Sequence, residues 1–463
     1  MGEAWDRRQF LASALGALGL SALAAACSSS SSKGAATTAP PGTTAATGTT
    51  TSAEPTTTAP GTTTAASTTT SSTVATTPPT LAPTTIPPVT AVIGPDGLPI
   101  GRPDLPVKLP IFDDNKPIAD GLAPEKGTLD VFNFADYVNP DTLKKFEQRY
   151  KVKVRVTTFE TDAELVQKLQ SGAFKGDLVL SSAYNTLPIL VARKLIQPLN
   201  HTYLGNFGNV LPAFQDPFYD LGSQYTVPYT VFGTGIGYRT DKLTAAEMDT
   251  LGWNALWDTK FKGEILVLDD YREALGMAML RNGGTDVNTT DVAVVKAAGK
   301  SLQELTSQVN VKVSIDGYKD IPDGSASIAH MWTGDIINAM SQLPKGVKDD
   351  VLGFWYPKDR KGIVNNDCMV VLAKAKHPVL AHLLIDFLCD PANASDNYSF
   401  VGYQPALSAL TADALVAAGA VPDHLRNSLM TDEDIRNGHR LLSLVPDLDK
   451  VYEDTFATFK AGG

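Results

Sequence analysis

The chain has 463 residues, too many for one ordinary domain, and carries a net charge of −11. No basic run interrupts that acidity. This argues against a nucleic-acid ligand and leaves room for a cationic one.

The first predicted element is an export signal. "WDRRQFLASALGALGLSALAAAC" sets Arg7 and Arg8 before an uncharged run from Phe10 to Ala26, which is followed by Cys27. The run is short for a membrane span, and no stop-transfer charges follow it. The segment 1–27 resembles a bacterial lipoprotein signal, with "RRQFL" suggesting twin-arginine export and Cys27 as the lipidation site. The alternative is a plain secretory signal next to an incidental cysteine. Residues 28–93 form a tract of Thr, Ser, Pro, Ala and Gly without an aromatic residue and with Lys33 and Glu54 as its charges. Such a chain buries too little apolar surface to offset its ordering entropy, so a disordered tether spanning about 45 Å is expected. The composition also suits an O-glycosylated stalk. Residues 94–127 read as a Pro-rich lead-in to the folded part.

From Thr128 strand and helix patterns alternate. "TLDVFNF" reads as a strand, "PDTLKKFEQRY" as a helix, and "VKVRVTTF" as a strand at period two. "DAELVQKLQSG" is an amphipathic helix stopped by Gly172; "GDLVLSS" is a short buried strand and "LPILVARKL" a helix. A second set opens at Glu264 with "EILVLDD", "REALGMAMLRNGG", a helix over 292–305, "VKVSI", "SIAHMW" and "GDIINAMSQL". "DCMVVLA" and "HPVLAHLLIDFLCD" resume strand and helix, and "LDKVYEDTFATFKAGG" is a last helix. The rhythm predicts an α/β protein built on mostly parallel, helix-covered sheets. Cys368 and Cys389 lie in apolar stretches, where two buried thiols are expected although an exported protein could join them.

Ligands of open parallel sheets sit beyond the carboxyl ends of strands. After the first strand come Phe134, Asp136 and Tyr137; after "GDLVL" come Ser181, Ser182 and Tyr184. "EILVL" is followed by Asp269, Asp270 and Glu273, and "SIAHM" by Trp332. Four strand ends thus offer acids and aromatics, with Arg272 the one basic residue. That composition suits an organic cation: carboxylates form charge-assisted hydrogen bonds with ammonium groups, and ring faces attract them through the quadrupole. Bland roles compete at each position. Asp270 and Glu273 have capping-box spacing. Asp136 could cap the helix that starts at Pro140. Phe134, Tyr137 and Trp332 could be core, Ser182 and Tyr184 could cap the next helix, and Asp367 on composition alone is the least specific acid.

"VFNFADYV", "DLVLSSAY", "LDDYREALGMAM", "HMWTGD", "GIVNNDCMVV" and "VGYQPAL" follow the order and spacing of the bacterial spermidine/putrescine-binding proteins, which this chain resembles from about Thr128 to its end. The resemblance implies a two-lobed, type II periplasmic-binding-protein fold with the ligand in the cleft and delivery to an ABC importer. It places lobe 1 at 128–237 plus 363–408 and lobe 2 at 238–362 plus 409–463, with crossings at "GTGIGYRTD", "FWYPKDRKGIV" and after Tyr403. It implies a ligand site of Phe134, Asp136, Tyr137, Ser182, Tyr184, Asp270, Glu273, Trp332, Asp367 and Tyr403, the acids on the amines and the rings on the methylene chain. Phe134 and Asn365 stand where the family commonly has Trp, and Leu441 where it has a late Gln. No cofactor or metal is implied. A monomer is expected outside the cytoplasm, anchored to the outer face of the membrane through Cys27.

Enzyme readings find little support. The chain has no G-x-S-x-G, H-E-x-x-H or G-x-x-x-x-G-K-[ST] motif, and "GTGIG" lacks phosphate-loop spacing. His201, His330, His377, His382, His424 and His439 are scattered without metal spacing. The remaining alternatives are a receptor of the same fold for another small organic cation, and a secreted glycoside hydrolase using two cleft carboxylates.

Overall fold

A computed structural model describes residues 92–94 and 96–462, apart from the side chain of Ser182. The expected signal with Cys27, and nearly all of the expected tether, lie outside the described residues.

Nine strands form the framework: β1 (Thr128–Phe134), β2 (Lys153–Phe159), β3 (Leu178–Ala183), β4 (Val227–Arg239), β5 (Ile265–Val267), β6 (Lys312–Val313), β7 (Ile328–Trp332), β8 (Leu352–Trp355) and β9 (Ile363–Val371). Their order is β2-β1-β3-β9-β4-β7-β5-β6, with β8 also paired to β4. β1 runs parallel to β2 and β3, and β5 parallel to β6 and β7. These are the two parallel sets that the strand–helix alternation predicts. They are joined by β4 and β9, which run antiparallel to their neighbours. β4 pairs with β9 from Val227 to Thr234 and with β7 from Thr234 to Tyr238. At Thr234 the strand therefore leaves one parallel set for the other.

The helices that position the site are α1 (Pro140–Tyr150), α2 (Asp162–Ser171), α3 (Leu187–Ala192), α4 (Tyr271–Arg281), α5 (Val292–Val309), α6 (Thr333–Gln342), α7 (Pro378–Leu388), α8 (Pro391–Val401) and α9 (Pro446–Lys460). Local chemistry sets their ends. Asn139 caps α1 by accepting from Asp141 N at 2.9 Å, Pro140 supplies a pre-set φ, and Lys151 closes the helix in left-handed backbone. Helices on both faces explain the burial of consecutive residues in β1 and of all nine in β9. One core cluster lies under β7 and β5 with α4, α5 and α9, and two others pack β1, β3 and β9.

The Pro-rich lead-in is packed onto the body. Ile100, Val107 and Leu109 are buried in the cluster that holds Phe132 and Tyr184. Val107 bonds Phe218 and Leu221 through its backbone at 2.8 and 2.9 Å, and Glu125 accepts from Val379 N and Leu380 N at the start of α7. Cys368 and Cys389 are both free and buried.

Candidate functional site

Side chains from both parallel sets meet along the antiparallel pair of β4 and β9. Asp367, on β9 opposite Thr230 of β4, accepts from the Tyr137 hydroxyl at 3.0 Å. That hydroxyl lies 2.8 Å from Thr230 Oγ1. Burial pushes the Asp367 carboxyl up to about 6, against the lowering effect of the Tyr137 bond. The Tyr137 ring meets Tyr403 edge-on at 5.1 Å, Tyr229 at 5.5 Å and Phe134 at 6.1 Å. Tyr403 in turn donates to Asp335 Oδ1 at 2.7 Å.

The other half of the group comes from α4. Asp270 accepts from Arg272 N and Glu273 N, both at 2.9 Å, so it does cap the helix. Glu273 does not complete the box. Its Oε1 turns to the Trp332 indole at 3.2 Å and Asn365 Nδ2 at 3.1 Å, and its Oε2 has no hydrogen-bond partner. Glu273 is only 3% exposed. Burial, and then the charge of Asp270, hold its carboxyl well above the usual range.

Asn365, at a position where the resemblance implies a ring, is a polar bridge. Its carbonyl oxygen accepts from Tyr184 while its amide holds Glu273. Tyr184 stacks on Tyr219 at 4.9 Å, and its hydroxyl also reaches Leu441 O at 2.9 Å. That contact, with Ser443 Oγ on Asn185 O, closes the C-terminal tail against the first half of the molecule.

Two acids join the group that the strand-end pattern does not single out. Asp335, in the first turn of α6, is buried, raised to about 7 by that burial, and has an unpartnered Oδ2. Asp162, the first residue of α2, has Ala183 N at 3.4 Å from Oδ1; burial and then the charges of Asp367 and Asp270 raise it to about 7. Both are disguised as ordinary first-turn acids of a helix, which need no ligand. The available signal is an acid within three residues of a strand's carboxyl end. Asp136 is not gathered with the buried acids: it is exposed beyond the end of β1, in left-handed backbone with φ 54°. Ser182 lies in β3 with its backbone opposite Cys368, its side chain being outside what the structure describes.

Among the described residues, no ion pair engages Asp162, Asp270, Glu273, Asp335 or Asp367. Two buried arginines border the group without pairing to it. Arg272 donates to Leu442 O and Asn288 Oδ1, each at 2.7 Å; burial raises the nearby Asp270 carboxyl against the lowering effects of its backbone bonds and of the Arg272 charge. Arg440 donates to Asn366 and lies over the Tyr184 ring at 5.0 Å. No acid, histidine and cysteine group among the described residues is arranged to hold a metal. Buried carboxylates without paired cations lie here beside Tyr137, Trp332 and Tyr403, an arrangement whose chemistry suits positive charge.

Comparison with known proteins identifies the family of the chain. Residues 141–422 match the family described as bacterial extracellular solute-binding protein. The spermidine/putrescine-binding periplasmic protein of Escherichia coli K12 is 30% identical over 344 residues, covering 73% of this chain and 93% of its own length. A putrescine/cadaverine-binding protein of Pseudomonas aeruginosa is 28% identical over 288 residues, 61% of this chain and 80% of that one. A Listeria monocytogenes structure assigned to a spermidine/putrescine ABC transporter superposes with a TM-score of 0.63 at 26% identity, covering 72% of this chain and 98% of its own.

Proposed function

The chain belongs to the bacterial extracellular solute-binding proteins, and from that premise we propose that it captures a polyamine of the spermidine/putrescine class and delivers it to an ABC importer. One observation carries this reading: buried Asp367, Glu273 and Asp335 converge among aromatic rings with no basic side chain paired to them. Leaving such groups unanswered is costly, and an ammonium group entering the cleft supplies the missing donor. Asp270 serves both as helix cap and as part of the negative field. Phe134, Tyr137, Tyr184, Trp332 and Tyr403 cover the alkyl chain, while Asp136 and Ser182 are assigned on the sequence resemblance alone.

The lobes run over 128–237 plus 363–408 and 238–362 plus 409–463, in keeping with the change of β4 partners at Thr234. A diammonium ligand bridges Asp367 on one side and Glu273 on the other. Its binding free energy offsets closure, and the closed monomer is the form a permease engages. Cys27, lipidated after twin-arginine export, anchors the protein outside the cell membrane through the 28–93 tether. The chain binds its ligand unchanged and performs no hydrolysis; turnover of a glycan would favour the glycosidase alternative instead.

Calorimetry tests the reading. Putrescine or spermidine should bind in the micromolar range or tighter, about −8 kcal/mol. Asp367→Asn should weaken binding by about tenfold or more, because it leaves an ammonium group poorly paired in a dry cleft. Absence of heat with every di- and polyamine would refute polyamine specificity, and wild-type affinity in Asp367→Asn would displace the site.

A further inference from the structure

Asp162 has a geometry that its helix does not require. The start of α2 is already closed by Thr161, whose Oγ1 accepts from Glu164 N at 3.1 Å, while Glu164 Oε2 accepts from Glu160 N at 2.7 Å. An acid at a first helical position usually points to solvent and interacts with the helix dipole from there. Asp162 is half-buried instead and turns from the end of β2 toward β3. The hydrogen bond it accepts from Ala183 N, at 3.4 Å, is long. Ala183 is the register partner of Asp367 on β9. Asp162 therefore reaches over β3 to the strand position facing Asp367, within Coulombic range of both Asp367 and Asp270.

Concentrated like charge is unfavourable unless a cation answers it. Among the described residues no Lys or Arg forms an ion pair with Asp162. Beside Asp270, the buried Glu273 keeps an oxygen without a hydrogen-bond partner. A purely structural cluster would gain from a built-in cation here; a cluster that receives a multivalent cation gains from having none.

We propose that Asp162 is a ligand-contacting residue that pairs a third ammonium group, so that the site selects a linear triamine over a diamine. This rests on the polyamine reading of the same cleft. Asp367 and Glu273 are two stations that a diamine bridges. Asp162, half-buried at the margin of the group, is a third station that only a longer chain with another charge occupies. The charge-assisted bond it forms is absent for the shorter ligand.

The test is calorimetric titration of the full chain and of Asp162→Asn with spermidine and with putrescine. The amide keeps the shape and the acceptor for Ala183 N. Spermidine affinity should fall by about tenfold or more, while putrescine affinity stays within about twofold. Equal loss for both amines, or no change for either, overturns the role of Asp162. Asp162→Glu provides a second variant: it restores the charge, so the preference for spermidine should return, and a preference as weak as in Asp162→Asn overturns the proposal. If the wild-type chain binds neither amine, the receptor reading itself falls. If it binds both and Asp162→Asn matches it, only the assignment of Asp162 falls.

Discussion

Asp367 is held between opposing effects: burial disfavours its charge, and the Tyr137 hydroxyl favours it. With its carboxyl raised from 3.8 to about 6, the folded state holds that proton more tightly than the unfolded state. This contribution stabilises the fold at low pH and is lost as pH rises from about 4 through about 6. His330, His382 and His439 act in the opposite direction, because burial lowers them and the fold must expel their charge as pH falls below the ordinary value of 6.5. The informative quantity is therefore the difference between wild type and Asp367→Asn without ligand. The melting temperature of the variant, relative to wild type, should rise as pH is raised across about 4 to 8. Ligand binding has the reverse sign, since ammonium groups need ionised partners: the thermal shift produced by spermidine should shrink as pH drops below about 6. A shift of constant size from about pH 5 to 8 would contradict raised carboxyls at this site. Asp270 and Glu273 could be found in the sequence because they follow a strand end, whereas Asp367, in the middle of β9, was legible only through the family resemblance. Asp162 and Asp335, although each lies three residues past a strand end, were masked, because a first-turn acid is what any helix start favours and only the fold shows which way it turns. The position of Asn365 was legible but its role as a bridge between Tyr184 and Glu273 was not, since that depends on three elements meeting.

The crossing strand β4 explains a motif that fits no phosphate loop. Gly233, Gly235 and Gly237 of "GTGIG" lie on one face of the strand, where β8 and the Met331 and Met430 side chains press closest. A Cβ on Gly235 would sit 2.4 Å from Trp355 O and 2.9 Å from the Phe354 ring. The carbonyl belongs to a paired strand and cannot yield as a side-chain tip can. Gly235→Ala should cost about 1–3 kcal/mol in denaturant unfolding, the range of an overpacked core; a loss below about 0.5 kcal/mol would show that β4 and β8 separate easily. The parallel sets were readable from apolar runs alternating with amphipathic helices. The antiparallel course of β4 and β9 was not, because a strand buried on both faces looks the same in either direction. The lead-in was read as a Pro-rich approach, yet it buries Ile100, Val107 and Leu109, three apolar residues spaced too irregularly to signal a helix or a strand.

At the scale of the molecule, the lead-in ties the folded body to whatever holds the chain upstream. Its bonds go to Phe218, Leu221, Gln224, Tyr225, Ile196, Asn200, Val379 and Leu380, and Asp96 pairs with Arg193 at 2.8 Å. All of these fall in the proposed lobe 1. A pull from the membrane would then load lobe 1 and leave lobe 2 free to swing, so anchoring and ligand capture should be separable. The anchor is expected at Cys27 and the proposed binding carboxylates all lie beyond Phe134, so a change at one should not reach the other. In cells fed a labelled fatty acid, the wild-type chain should take up label and Cys27→Ala should not, with the variant released from the membrane fraction. Purified Cys27→Ala should still bind spermidine within about twofold of wild type. Label persisting without Cys27 would remove the proposed anchor. A loss of affinity in Cys27→Ala would mean that the upstream segment takes part in binding, against the separation that the packing of the lead-in onto lobe 1 implies.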